Sequence, residues 1–537
     1  MKHAANVMLL GTFLAAGGLG IGASPSLGEP PRRELTGDAA TGPAWSLATF
    51  SLRARLPAKS APRAVEVARA TTIPACTLFV DAASSGSGDG TARKPHKTIA
   101  AAVAAADPGA VICVAEGTYA ENLSPGEKYF TLAGGFQRGK DFKVRDSAAY
   151  VTKATGRGGS FIRIEDPGPK GSQLTAIDGF DISGYSQAIY RQVYYSQRFD
   201  ITNNHIHDNK CADATLVGAG FSLANVSGRI QGNVIRNNSC GRGGAGALND
   251  ETKENTVTIE GNVIDGNSGT EPDTSHGGGL YLFATTLKIT ANLFTRNTVT
   301  SWGAGLYIGS NMGSGQKTTA TLNWNVYRSN KAGIAGGGLF CDDSATCLSY
   351  HEIYDRNCGS NIFLDSGPGT EPTIARFDHL TNVGALDVAC KEPGAGVQIE
   401  RANDAPDTYS FVNAIFWGNA PGRDFVASCD SACGKVKVSV SYSLVQTKYP
   451  DGGIKIAFGD GNLAPADPLF AAAEKGDFHL RSAAGRWTPT GHVKDTATSP
   501  AIGKGYPRGS AEENPERAGG RNELGAYGNS GEASFIR

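Results

Sequence analysis

GNVIDGNSGTEPDTSHGGGLYLF, residues 261–283, holds two phrases that recur along the chain. The first is Asn, any residue, an apolar residue, and a second Asn five positions after the first. It appears as NHIHDN (204–209), NVIRNN (233–238), NVIDGN (262–267), NLFTRN (292–297) and NVYRSN (325–330), with starts 29, 29, 30 and 33 residues apart. Degenerate copies follow as HEIYDRN (351–357), DHLTN (378–382) and NAIFWGN (413–419). The second phrase is a glycine-led strand: GAGFSL (218–223), GAGALN (244–249), GGGLYL (277–282), GAGLYI (303–308), GGGLFC (336–341) and, more weakly, GSNIFL (359–364). A fixed period of 26–33 residues is the mark of a solenoid. Gly, Asn, Thr and β-branched residues favour turns and strands over helices, so each period reads as one coil of a right-handed parallel β-helix, an all-β fold. A single coil cannot bury its apolar face, and stacking creates the core.

Stacked coils about 4.8 Å apart turn equal phases into columns along the axis. Leu280/Leu282, Leu306/Ile308, Leu339/Cys341 and Ile362/Leu364 then point inward, and Tyr281, Tyr307, Phe340 and Phe363 form an outward aromatic ladder. The Asn residues become two turn ladders, bonded to one another or to backbone. Cys211 and Cys240 share one phase of adjacent coils, a separation that suits a disulfide. Cys358 has the same phase in a later coil and could pair with Cys341, Cys347 or Cys390. Cys429 and Cys433 could close a local loop.

The chain has 537 residues, 40% hydrophobic and 19% charged, with 71 glycines and a net charge of −1. That balance suits a folded solenoid and offers no concentrated basic patch for nucleic acid or anionic lipid. Lys2 and His3 precede the apolar run Val7–Gly22, so residues 1–24 read as a signal peptide and 25–75 as a linker or propeptide. No later run is long enough to span a membrane after cleavage. Export, to the periplasm or beyond, accords with ten cysteines held as disulfides. The β-helix is expected over 76–470, opened by the short helix TIAAAVAAA as an N-terminal cap, and a C-terminal cap region over 471–537.

Near the N-terminus, FVDAASSGSGDG, PHKTIAAAV, GAVICVAEGTY and TLAGGF resemble the opening coils of pectin-lyase-like right-handed β-helix proteins. Near the C-terminus, ADPLF (466–470), GDFHL (476–480), GRWTP (485–489), SPAIGKG (499–505) and ELGAYG (523–528) resemble the bacterial "choice-of-anchor Q" β-helix proteins. The resemblance implies a protein that binds or cleaves an extended, acidic or structural polysaccharide, and it carries over no catalytic residue. The tail SGEASFIR shows no apolar span or sorting motif, which implies release rather than anchoring.

Three constellations carry possible chemistry. Alignment of the coils puts Asn249/Asp250/Glu251, Phe283, Gly309, Asp342/Asp343 and Asp365 near one phase, with Asp343 and Asp365 on neighbouring rungs. Paired carboxylates suit a glycoside hydrolase, and crowding raises one pKa as a general acid requires. The bland account is an Asp-rich turn leaving a strand. In the second constellation, Asp342, Asp343 and Asp365 hold Ca²⁺ in a polysaccharide lyase, with base or clamp drawn from His276, Arg242, Arg296 or Arg328. The arginines of the Asn turns are expected on another face. In the third, Tyr281, Tyr307 and Phe340 offer sugar-stacking rings unless loops cover them. A non-catalytic glycan-binding or cell-surface interaction protein is the rival to either enzyme. The glycine phrases recur once per coil without a following helix, which excludes a nucleotide fingerprint, and neither a GxSxG elbow nor the HExxH or paired CxxC of common zinc sites occurs.

Overall fold

The computed structural model describes residues 70–535 except 73, 87, 166–172, 253–254, 273, 284–285, 311–316, 368–370, 386–393, 401–404, 420–422, 430–432, 448–452 and 508–520. The expected signal peptide and most of the linker lie outside the described residues.

Among the described residues three long parallel sheets run the length of a solenoid. The first has 14 strands, from Leu78–Val80 to Ile456–Phe458, and the second has 12, from Gly117–Tyr119 to Leu444–Val445. The third has 10, from Ile162–Ile164 to Phe425–Ala427. Every strand of these sheets pairs with the equivalent strand one coil away, as in Leu280↔Leu306↔Leu339↔Ile362 and Leu282↔Ile308↔Cys341↔Leu364. These residues are fully buried and form the inner column expected from the glycine-led phrase. In the second sheet Phe294, Tyr327 and Tyr354 occupy one inner column and stack at 4.9 and 4.6 Å. The chain is a right-handed parallel β-helix.

Sharp corners join the sheets, and in the central coils the corners on either side of the second sheet pair a left-handed residue with a buried Asn. Ala291 (φ 54°) precedes Asn292, and Arg296 (φ 54°) precedes Asn297. Asn204, Asn233, Asn262, Asn292 and Asn325 then form one ladder, and Asn209, Asn238, Asn267, Asn297, Asn330 and Asn357 form another. Each Oδ1 accepts both the backbone N–H and the Nδ2 of the preceding Asn, as Asn267 does from Asn238 at 3.0 Å. Each Nδ2 also donates to a strand carbonyl, so buried polar groups meet partners at every corner.

At the N-terminal end, helix Ile99–Ala105 closes the column with Ile99, Ala102 and Val103 buried in the main core. Thr98 caps it, the Glu121 carboxylate accepts from Ile99 and Ala100 N–H, and Lys128 Nζ donates to the carbonyls of Val103, Ala104 and Ala106. Polar contacts at both ends offset the marginal stability of a 7-residue helix. The C-terminal region forms two antiparallel hairpins, Phe470–Ala472 with Asp477–Leu480 and Arg486–Thr488 with Gly491–Val493. It lies along the outer face of the second sheet, where Phe478, Ala526 and Tyr527 cluster with Val326, Ile353 and Val383.

Cys211 and Cys240 form the disulfide expected from their shared phase. Cys429 pairs with Cys433, and Cys76 pairs with Cys113 across the first two strands of the first sheet. Cys341 pairs with Cys347, which removes both as partners for Cys358, itself disulfide-bonded. No helix among the described residues is long and apolar enough to cross a membrane.

Candidate functional site

The third sheet positions most of the candidate side chains. The register Tyr281↔Tyr307↔Phe340↔Phe363 confirms the aromatic ladder. Its rings are not open platforms, however: Tyr307, Phe340 and Phe363 are exposed by only 3, 3 and 1%. They pack on one another and on Phe283, Trp302 and Ala335, so the expectation of free stacking surfaces at Tyr307 and Phe340 is corrected to a second, outer apolar cluster. Burying adjacent rings removes the large exposed patch that an open ladder would present. Tyr281 keeps partial exposure at the ladder's edge.

The acids leave this sheet at the next position. Cys341 pairs with Leu364, and Leu364 pairs with Ile399, which aligns Asp342, Asp365 and Glu400 on three successive rungs. Asp342, rather than Asp343, is therefore the rung neighbour of Asp365. Asp343 follows in a left-handed turn (φ 52°) that swings its carboxylate back toward the ladder. The Tyr307 hydroxyl donates to Asp342 Oδ2 and Asp343 Oδ2, both at 3.0 Å. Gly367 (φ 58°) passes so close that a Cβ there would lie 2.1 Å from Asp343 Oδ1, so the following turn fits over the acids only as glycine.

Crowding and burial shape the electrostatics. Burial first, then the charges of Asp343 and Asp365, raise Asp342 far above the usual carboxylate range. Burial pushes Asp343 up to about 6 against the lowering effect of the Tyr307 hydroxyl. It pushes Asp365 to about 6 as well, aided by Glu400, while the Ser366 and Gly367 amides oppose the rise. Near neutral pH such a group holds protonated and ionised carboxyls side by side, as acid–base chemistry requires.

His276 and Arg242 do approach this cluster. The His276 ring lies 4.8 Å edge-on from Tyr307 and stacks on Trp302 at 5.2 Å, while Arg242 sits 5.9 Å over Tyr281 and is pinned by Glu271 at 2.5 Å. Arg242, Tyr281, Tyr307 and the two aspartates thus form one continuous line. Burial and the Arg242 charge push His276 down to about 3, which leaves it neutral and too weakly basic for proton abstraction near pH 7. Arg328 lies on the second sheet and Arg296 in the corner that follows it, paired with Asp355 and Asp265. Asp250 accepts from Thr252 and Asn255 and braces its own turn.

The sequence reading missed two features. Glu400 belongs to the acid column, signalled only by its place after the strand Val397–Ile399. Asp181, His205 and His207 are the one group of three or more potential metal ligands among the described residues whose donor atoms all lie within 4.8 Å of one another. The alternation in NHIHDN was the available signal for the second feature.

The family described as "Protein of unknown function (DUF1565)" matches residues 82–334, and the family described as "Disaggregatase related" matches residues 452–505. No curated protein matches the chain. Among solved structures it is similar to the crystal structure of pectate lyase Pel9A, with 13% identity, a TM-score of 0.35, and 84% of this chain and 97% of that chain covered.

Proposed function

We propose that this chain is a secreted carbohydrate-active protein that hydrolyses an extended polysaccharide, with Asp343 and Asp365 as general acid and base. One observation carries the reading: Asp343 and Asp365, on successive coils, remain partly accessible beside buried Asp342, and burial pushes both up to about 6. The charge of Asp343 raises Asp365, so the pair gives up its protons in separate steps and one carboxyl can hold a proton beside an ionised partner, as glycosidic cleavage needs. Tyr307 and Asp342 act as positioning residues, and half-buried Tyr281 and Arg242 offer contacts to a bound sugar. The disulfides support an oxidising destination, as does the signal-like N-terminus. The competing enzyme is a Ca²⁺-assisted lyase using Asp342, Asp343 and Asp365 as ligands. Weak basicity at His276 favours hydrolysis over it.

A polysaccharide screen of the purified chain, with and without Ca²⁺, separates these outcomes. Hydrolysis predicts new reducing ends without ultraviolet-absorbing unsaturated products. Asp343→Asn and Asp365→Asn should each slow turnover by about 10²–10⁴-fold without loss of thermal stability. Unsaturated products that require Ca²⁺ would overturn hydrolysis in favour of the lyase. Binding without product on a broad panel would leave a non-catalytic glycan-binding protein.

A further inference from the structure

The second sheet carries an independent site. Strand His205–His207 alternates, so Ile206 enters the core while both imidazoles stand on the outer face. His205 pairs in register with Asp181 of the preceding coil, which points out beside them. His205 Nδ1 lies 2.9 Å from Asp181 Oδ2, and His207 Nε2 lies 3.2 Å from Asp181 Oδ1. The two rings stack with centroids 4.1 Å apart.

We propose that Asp181, His205 and His207 form a binding site for a borderline divalent transition-metal ion such as Zn²⁺. Two imidazoles and one carboxylate are the donors such ions prefer, whereas Ca²⁺ and Mg²⁺ prefer oxygen alone. Tetrahedral bonds of about 2.0 Å place neighbouring ligand atoms about 3.3 Å apart. The two His–Asp separations, each to a different oxygen of Asp181, fall within a few tenths of an ångström of that, and one donor atom from each residue lies within 4.8 Å of the others. His207 also has the outer support typical of a ligating histidine. Its Nδ1 lies 2.6 Å from Asp208 Oδ2, which directs Nε2 at the site. Asp208 is held in a left-handed corner (φ 52°), so the Asn-turn geometry itself sets this contact.

Three protein ligands leave coordination positions open. A cleft of about 230 Å³ adjoins them, lined in part by Ser147, Val151, Asn203, Asp181 and His205. All three ligands are only partly buried, at 18–23% side-chain exposure, so an ion can enter from solvent. Exposed Lys153 and Arg236 flank Asp181 and His207 on the adjoining rungs. They suit an anionic ligand in the open positions.

The site is tested on the full chain, free of any polyhistidine tag and stripped with a chelator, by calorimetric titration with ZnCl₂ and separately with CaCl₂. One equivalent of Zn²⁺ should bind, and millimolar Ca²⁺ should not displace it. The His205→Ala/His207→Ala pair should abolish that equivalent, and Asp208→Asn should weaken it about 10–100-fold. Melting curves without metal should match wild type for both variants. As a second readout that needs no variant, Co²⁺ should give the visible absorption of a nitrogen- and oxygen-ligated ion and be displaced by Zn²⁺. No binding by the folded wild type, or undiminished binding by a folded double variant, would overturn the site.

Discussion

The Asn columns and the acid column both repeat a polar side chain along the solenoid axis, yet they behave as opposites. An amide carries donor and acceptor, so Asn233, Asn262 and Asn292 satisfy one another in series at 2.9–3.0 Å. Ionised carboxylates only accept, so Asp342, Asp365 and Glu400 gain nothing from being stacked and need a proton, a hydroxyl such as Tyr307, or an external cation. The self-complementary column supports the fold. The other stores unfavourable charge at one place on the surface, which is how reactive sites differ from scaffolding.

Breaking the amide column should have the largest effect. Asn267→Ala strands the Asn238 N–H inside the solenoid. It also removes one bond each from Asn238 Nδ2, which keeps the Ile206 carbonyl, from Asn297 Oδ1, which keeps the residue-267 backbone N–H, and from the Ile235 carbonyl. At about 1–3 kcal/mol for the stranded N–H and about 0.5–1.5 kcal/mol for each further bond lost, the loss should reach about 4 kcal/mol in urea unfolding. A loss below about 1 kcal/mol would mean that water occupies the vacated place.

Glu352 is where the two kinds of column meet. It ends the first Asn ladder, its Oε1 accepting Asn325 N and Nδ2 at 2.9 and 3.0 Å. Burial pushes it up to about 8 from an ordinary 4.5. The folded chain therefore keeps a proton that the unfolded chain releases. The resulting stabilisation is full below about pH 4.5 and is lost as pH rises through about 8, by up to about 1.4 kcal/mol per unit. Glu352→Gln restores the amide pattern. It should flatten that decline and raise stability at pH 7 by about 2 kcal/mol, read from unfolding curves across the range.

The amide columns were legible because each corner repeats the same local need. A left-handed residue is followed by a group that bonds both up and down the stack, and a period of about thirty residues displays it. Core residues such as Leu306 and Leu339 were legible for the same reason. Burial of Tyr307 and Phe340 was not, because it depends on Trp302 and Phe283 folding onto the ladder, and neither belongs to the repeating phrase. The pairing of Asp342 with Asp365 turned on a one-residue register, which spacing alone does not resolve in a turn. His205 and His207 were absorbed into the first Asn phrase, and Asp181 stands a coil earlier, in DGFDISGY, outside the phrases that exposed the repeat.

The acid column should respond oppositely to the amide column when one member is neutralised. Asp365 sits at about 6 in the folded chain against an ordinary 3.8, so its contribution to stability falls as pH rises between those values. Asp365→Asn should therefore stabilise the protein by about 1 kcal/mol at pH 7.5 and have little effect at pH 4. Thermal melts at the two pH values measure the difference. Lower stability at both would mean that the carboxylate's bonds to the Ser366 and Gly367 amides outweigh the relief of repulsion.

The finest probe is Tyr307→Phe, which removes one oxygen and leaves the ring. The phenol stays protonated because burial and the neighbouring aspartates raise it well above its ordinary value. Its one hydrogen therefore stays available to the two carboxyls, each 3.0 Å from the hydroxyl oxygen. Donation to a carboxylate favours the ionised form, so losing the hydroxyl should move Asp343 upward from about 6 by a few tenths to about one unit. The ring's contacts with Tyr281 at 5.1 Å and Phe340 at 5.0 Å remain, so packing should change little. A carboxyl carbon-13 titration reads the shift directly, and the acid limb of any turnover profile should follow it. An unmoved midpoint would show that water replaces the hydroxyl at once, and that the acids are more open to solvent than the turn over Gly367 implies.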